Sequence, residues 1–397
     1  MSMQQVPIHF RRNRFALSEE FLKLCAEEPV SRLLMPSGSG AWLVTGSENI
    51  RAVLSDPALF GSSDHSLQQA ASAAGGGVLS PSSGRHGNLS LYDPPDHGRL
   101  RRLVGASFTP RRVQQLRPRI VDIISETLSE MERMGPPVDL VQAFALPIPS
   151  MVICELLGVP YEDHSTFQQR SVMRFDGTQP MSKRLAAETA SLEYMTELVA
   201  RKRVDPGDAL LGSLIREHGD ELEDRELVGI GDLLLLTGHE TTVNMLALGT
   251  LFLLENPEHG EAARTGEGID GIVEELLRYS SVVQSSVPRI ARKDTVVGGQ
   301  QVRKGDRLFC ALASANHDED LISNPEVFDD TRRTPHLAFG HGIHYCLGAP
   351  LARLEMQLAY PALLANFPGL RPAVAPNEIR FRPCSVSYGV RELPVVW

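Results

Sequence analysis

A chain of 397 residues, 42% hydrophobic and 22% charged, has ordinary globular composition and enough apolar side chain to bury a large core. Its net charge of −10, with no dominant run of Lys or Arg, argues against a nucleic-acid binder and against docking on an anionic membrane. Five scattered cysteines (Cys25, Cys154, Cys310, Cys346 and Cys384) with no CxxC argue against a disulfide framework or a structural zinc site, so reduced thiols in a cytoplasmic protein are expected.

The opening residues, MSMQQVPIHFRRNRFAL, carry no apolar stretch of the secretory kind, and residues 1–16 read as an N-terminal extension. A short strand is expected over 42–45. Residues 70–90, AASAAGGGVLSPSSGRHGNLS, read either as a flexible exposed loop or as a lid over a pocket. Asp93-Pro94-Pro95-Asp96-His97 then sets a turn before a helix loaded early with Arg99, Arg101 and Arg102. The helix dipole disfavours cations there, so an anionic partner is one explanation and a solvated basic face the other.

Helical periodicity continues over 112–134, 186–204 and 226–255. The last of these is apolar nearly all round, which marks a buried helix, yet its centre reads TGHETT from Thr237 to Thr242. His239 and Glu240 make it a poor membrane span. Polar groups there need a reason: threonines back-bonding to the preceding turn, or a groove where Gly238 kinks the helix and Glu240 and Thr241 handle protons. A zinc-protease HExxH reading fails because Val243 stands where the second His is needed.

Helix 271–279 carries Glu275 and Arg278 at i, i+3, a common pair that alone signals little. A strand is expected over 307–312 and a helix over 349–366. Between them, residues 339–348 read FGHGIHYCLG. Gly340 and Gly342 permit positive φ, so the loop can fold tightly beneath a flat ligand. Cys346 falls at the start of the following helix, where backbone N–H groups should favour its thiolate. Gly348 leaves room for a ring, and His344 is in reach of a carboxylate at the ring edge. A buried structural cysteine is the alternative. Helices outweigh short strands, and no repeat or long linker divides the chain. One mostly α domain with small β-sheets, spanning 1–397, is expected.

Phe339, Gly340, Gly342, Cys346 and Gly348 match every fixed position of the haem-binding signature of the cytochrome P-450 family, which this chain resembles. Four more segments resemble family motifs and fall in the family's order. They are the DPPxHxxxR helix, the acid–threonine motif (with Thr237 where Ala or Gly is usual), the ExxR pair Glu275 and Arg278, and the FDxxR element ending at Arg332. The resemblance runs from about Ala41 to the end. It implies the P-450 fold around a buried, thiolate-ligated haem b. Cys346 would be the proximal iron ligand, and His97, Arg101, Arg289 and His344 would meet the propionates. Thr241, Glu240 and Gly238 would serve oxygen activation, and Glu275, Arg278 and Arg332 would form a structural triad.

The implied activity is monooxygenation of a bulky apolar small molecule with O2, by hydroxylation or epoxidation, in secondary-metabolite or antibiotic biosynthesis. Family position assigns substrate contacts to Leu233, Leu234, Thr237, Val283, Val287 and Val386, with a lid over 173–181. Electrons would come from a separate ferredoxin and ferredoxin reductase, docking near Arg102, Arg111 and Arg112 on a monomer. Other haem-thiolate oxidations, such as ring coupling or rearrangement, remain open, as does a haem electron carrier or gas sensor.

Overall fold

The computed structural model describes residues 6–34, 40–62, 86–382 and 385–397. The fold is organised on the helix Asp224–Glu255, whose 32 residues span about 48 Å. A capping box starts it: Glu223 accepts from the backbone of the first turn, and Glu226 accepts from the Glu223 N–H at 3.1 Å.

Its first half, over 227–235, is buried in one apolar core with Ile153, Leu157, Phe167, Leu198 and Leu211. Its second half, over 243–253, is buried in a larger core with Ile123, Met131, Leu276 and Tyr360. Residues 236–242 belong to neither core. The polar TGHETT segment is thus the joint between two oily halves, not an interruption inside one.

The surrounding helices include Asp96–Gly105, Arg117–Met134, Pro147–Leu157, His164–Phe175, Met181–Val204, Ile269–Ser280 and Ala349–Asn366. The largest sheet has five short strands in the order Val30–Leu34, Gly40–Val44, Arg307–Cys310, Arg289–Ala291 and Phe60–Gly61. Only Gly40–Val44 and Arg307–Cys310 pair in parallel. Near the end of the chain, Arg380–Phe381 pairs with Val390–Glu392. Isolated bridges join Ser385 to Asp176 and Ser387 to Val283, so this segment touches both the 164–175 helix end and the 283–287 stretch. At the other end of the chain, Arg12 is buried and donates to the carbonyls of Ser280 and Ser281.

Boundaries differ from expectation for local reasons. The helix expected over 112–134 is two, Pro110–Gln115 and Arg117–Met134, because Pro118 lacks an N–H and is tolerated only in a first turn. The strand expected to reach Leu312 stops at Cys310, and Leu312–Ala315 turns helical. Most of the loop expected over 70–90 lies outside the described residues; Leu89–Leu91 at its end form a 3-10 turn. Among the described residues, no helix is long and apolar enough to cross a membrane.

Candidate active site

The cysteine loop is closed by its own backbone. Cys346 N–H donates to the Phe339 carbonyl at 2.9 Å, and Gly340 N–H to Leu337 at 2.8 Å. Gly340 and Gly342 have φ of +75° and +72°. At Gly342 an added Cβ would lie 2.2 Å from the Leu54 carbonyl oxygen, so only glycine fits. At Gly348 no atom comes within 4 Å of an added Cβ, which leaves the space in front of Cys346 open.

The Cys346 sulfur accepts from the N–H groups of Gly348 and Ala349, at the start of helix Ala349–Asn366. Its side chain is accessible, yet the protein crowds it closely. Burial pushes the thiol up, against the pull of those N–H groups, Arg101 and Arg353. The expected thiolate is therefore not created by the helix end alone, because desolvation of a charged sulfur outweighs two N–H donors. A coordinated metal cation would deprotonate it outright.

A basic cluster stands beside the sulfur. The rings of His97 and His344 lie 4.4 Å apart. Arg101 donates to the Tyr345 carbonyl at 2.6 Å, and buried Arg289 donates to the Val287 carbonyl at 2.8 Å. Burial and the two guanidiniums hold both imidazoles below their usual range, His344 down to about 3. The His344 Nε2 sits 3.3 Å from the Ser62 hydroxyl, while the His97 Nε2 is buried without a partner among the described residues. The nearby carboxylate, Asp93, is engaged by the Ser62 N–H and by Arg292. Four nitrogen side chains gathered around unfilled acceptor demand suit a ligand bearing carboxylates.

The central helix opens on one strip. Leu233, Thr237 and Thr241, four residues apart, keep accessible surface, as do Leu236 and Gly238 beside Thr237, while Leu234, Leu235, His239, Glu240 and Thr242 are buried. Thr237 donates to the Leu233 carbonyl at 2.8 Å and Thr241 to the Thr237 carbonyl at 3.2 Å. Both hydroxyls therefore back-bond and also lie on the open face. The cysteine loop touches both cores: Phe339 packs on the larger and Leu347 on the smaller.

The structure refines three of the site expectations. The helix is continuous through Gly238, where an added Cβ would lie 2.7 Å from Ile153 Cδ1, so this glycine admits a neighbouring helix. Leu234 is buried in the smaller core, because one step along a helix turns it away from the Leu233 strip. Glu240, the acid expected to handle protons, is fully buried and paired with Arg382. Val283, Val287 and Val386 keep accessible surface, as does Leu233.

Behind the loop, Arg278 makes a bidentate pair with Glu275 (2.8 and 2.7 Å), both nearly fully buried. Arg332 approaches the same carboxylate at 3.4 Å. Sequence reasoning missed the residue that connects this group to the loop. Asn316 accepts from Arg278 through its carbonyl at 2.8 Å and from the Leu337 N–H through Oδ1 at 2.6 Å. It also missed Arg353, which grips Glu274 and lies over the Phe339 ring at 4.5 Å. A third omission is the pair Arg174–Asp232, at 2.7 and 2.9 Å, with Ser191 on the same carboxylate; it fastens two outer helices to the central one. None of these pairings has a local spacing that would announce it.

Comparison with known proteins agrees with this arrangement. The family model described as Cytochrome P450 matches residues 269–388, which hold the buried pair and the cysteine loop. Cytochrome P450-SU2 of Streptomyces griseolus is 41% identical over 374 residues, covering 93% of this chain and 91% of its own. Nocardicin C N-oxygenase of Nocardia uniformis subsp. tsuyamanensis is also 41% identical, over 95% of this chain and 94% of its own. The crystal structure of CYP105P1 in complex with filipin I superposes with a TM-score of 0.89 at 38% identity, covering 98% of this chain and 97% of that one. A shared sequence, fold and site of this extent leave one assignment: the chain belongs to the cytochrome P450 family of haem-thiolate monooxygenases.

Proposed function

We propose that this enzyme inserts one atom of O2 into a bulky, largely apolar natural product, by hydroxylation or epoxidation. The observation that carries the reading is the open strip Leu233–Thr237–Thr241 on a mostly buried helix, between the two cores that the cysteine loop also touches. The similarity to an N-oxygenase and to a filipin-bound enzyme supports a natural product as substrate.

The residues present fit haem b. Cys346 would ligate iron, Gly348 leaves the approach clear, and the partnerless His97 Nε2, with Arg101, Arg289 and His344, would meet the propionates. Bound there, a thiolate-ligated haem supplies dioxygen activation and oxygen transfer. Thr241 would hold a water at Oγ1, and Glu240 would feed it protons. Leu233, Val283, Val287 and Val386 would form an apolar wall that orients substrate and excludes bulk water. Glu275, Arg278 and Arg332 would act only through the fold behind the loop.

With ferredoxin, its reductase, NADPH and a library of natural products, one product should gain a single oxygen atom derived from labelled O2. Label arriving from water, or no oxygen gain with any binder, would sink this reading. In Thr241→Ala, haem and substrate binding should persist, while product per NADPH falls on the order of 10–100-fold and hydrogen peroxide replaces it. Unchanged coupling would remove Thr241 from its role.

Electron partners of the family are generally small redox proteins. Exposed Arg102, Arg111 and Arg112 with exposed Tyr345 offer such a protein a positive face on a chain of net charge −10. Charge reversal at Arg102 and Arg112 should slow the first electron transfer, mostly at low salt; a salt-independent rate equal to the parent's would place docking elsewhere.

A further inference from the structure

Glu240 is sealed from solvent. Its Oε1 pairs with Nη1 of Arg382, and its Oε2 has no partner among the described residues. Arg382 follows the strand Arg380–Phe381, and its own N–H is held by the Gly389 carbonyl at 2.9 Å. Its side chain is 17% exposed against 1% for Glu240, so the guanidinium is the member of the pair that reaches the surface.

The wall around the pair is closely packed and hydrogen-bonded. One turn along the helix, Asn244 donates to the Glu240 carbonyl at 3.0 Å and to the Ser387 hydroxyl at 3.0 Å. Gly389 comes so close that an added Cβ would lie 2.1 Å from Asn244 Oδ1. The adjacent imidazole, His239, is tied to the Leu235 carbonyl at 2.6 Å and packs edge-on against Phe167. Burial holds this imidazole below its usual range, against the pull of Glu240. A carboxylate this deep needs a countercharge, and here the countercharge is the more exposed member of the pair.

Resting on the reading of Glu240 and Thr241 as the proton path, we propose that Arg382 is the positioning residue of that path. Its guanidinium holds the Glu240 carboxylate against the helix and, by swinging outward, admits water that reloads it. In each cycle one proton passes from bulk water to the carboxylate, and one passes from the carboxyl to water beside Thr241 Oγ1. No electrons move, and the carboxylate is restored.

Arg382→Met removes the countercharge and keeps an unbranched apolar stem; Arg382→Lys keeps the charge. In infrared difference spectra, Arg382→Met against Arg382→Met/Glu240→Gln should show the C=O band of a protonated carboxyl. The same difference in the parent, or on Arg382→Lys, should show carboxylate instead. In the haem protein, Arg382→Met should cut product per NADPH by roughly 10–100-fold and raise the solvent deuterium isotope effect, with Arg382→Lys recovering most of the loss. Loosened packing alone would lower the melting temperature and move neither the band nor the isotope effect. If Arg382→Met shows no carboxyl band and couples like the parent, while Glu240→Gln does not, the role of Arg382 is wrong. If Glu240→Gln itself couples like the parent, the proton-path reading fails, and this inference with it.

Discussion

Replacing Cys346 by Ser should abolish the strongly red-shifted Soret band of the dithionite-reduced, carbon monoxide-bound protein and reduce monooxygenation to background. The side chain contributes little to the fold. The loop is closed by backbone bonds, Cys346 N–H to Phe339 and Gly340 N–H to Leu337, which serine leaves intact. The substitution therefore separates chemistry from stability, and the melting temperature should stay near the parent's. What is lost is a soft anionic sulfur that pushes electron density onto iron. Serine supplies a hard oxygen whose proton is far more tightly held. A red-shifted band surviving in Cys346→Ser would show that another residue ligates iron, and Cys25, Cys154 and Cys310 would then be tested in turn. All three are packed in or beside apolar clusters, and burial pushes each thiol up.

Arg278→Ala should cost about 3–5 kcal/mol of stability, because it leaves the Glu275 carboxylate buried without its bidentate partner. It also strips a donor from the Asn316 carbonyl, and Asn316 is the residue that fixes Leu337 at the entrance of the cysteine loop. Haem content after expression should fall along with the melting temperature. Arg332→Ala should cost less, about 1–3 kcal/mol, since its contact is longer at 3.4 Å and its side chain is 11% exposed. The double variant Glu275→Ala/Arg278→Ala should recover part of the loss by removing the stranded charge. Denaturation midpoints and haem-to-protein ratios measure this order; a parent-like Arg278→Ala would mean that the pair contributes nothing to holding the loop.

Much of the site is written in contiguous residues. A positive φ at Gly340 and Gly342, a helix beginning just past Cys346, and an acid and base one turn apart at Glu275 and Arg278 are local backbone facts. So is the polar heart of the central helix, because the six residues Thr237–Thr242 between two apolar runs are visible in the string itself. What the string does not show has a different origin. What Gly238 admits beside the helix depends on where helix Pro147–Leu157 lies. Whether Leu234 lines the site or the core depends on what packs beside it.

The sequence by itself determined the family, the iron-binding cysteine loop as an expectation, and the order of the motifs, because each depends on backbone preferences and spacings within a few turns. Only the tertiary structure decided who partners whom. Glu240 meets Arg382 across 142 residues, Arg174 meets Asp232 across 58, and Arg278 meets Asn316 across 38. Burial, countercharge and the direction in which the Cys346 thiol shifts are properties of the packed interior, and they exist only once distant segments have closed around each group.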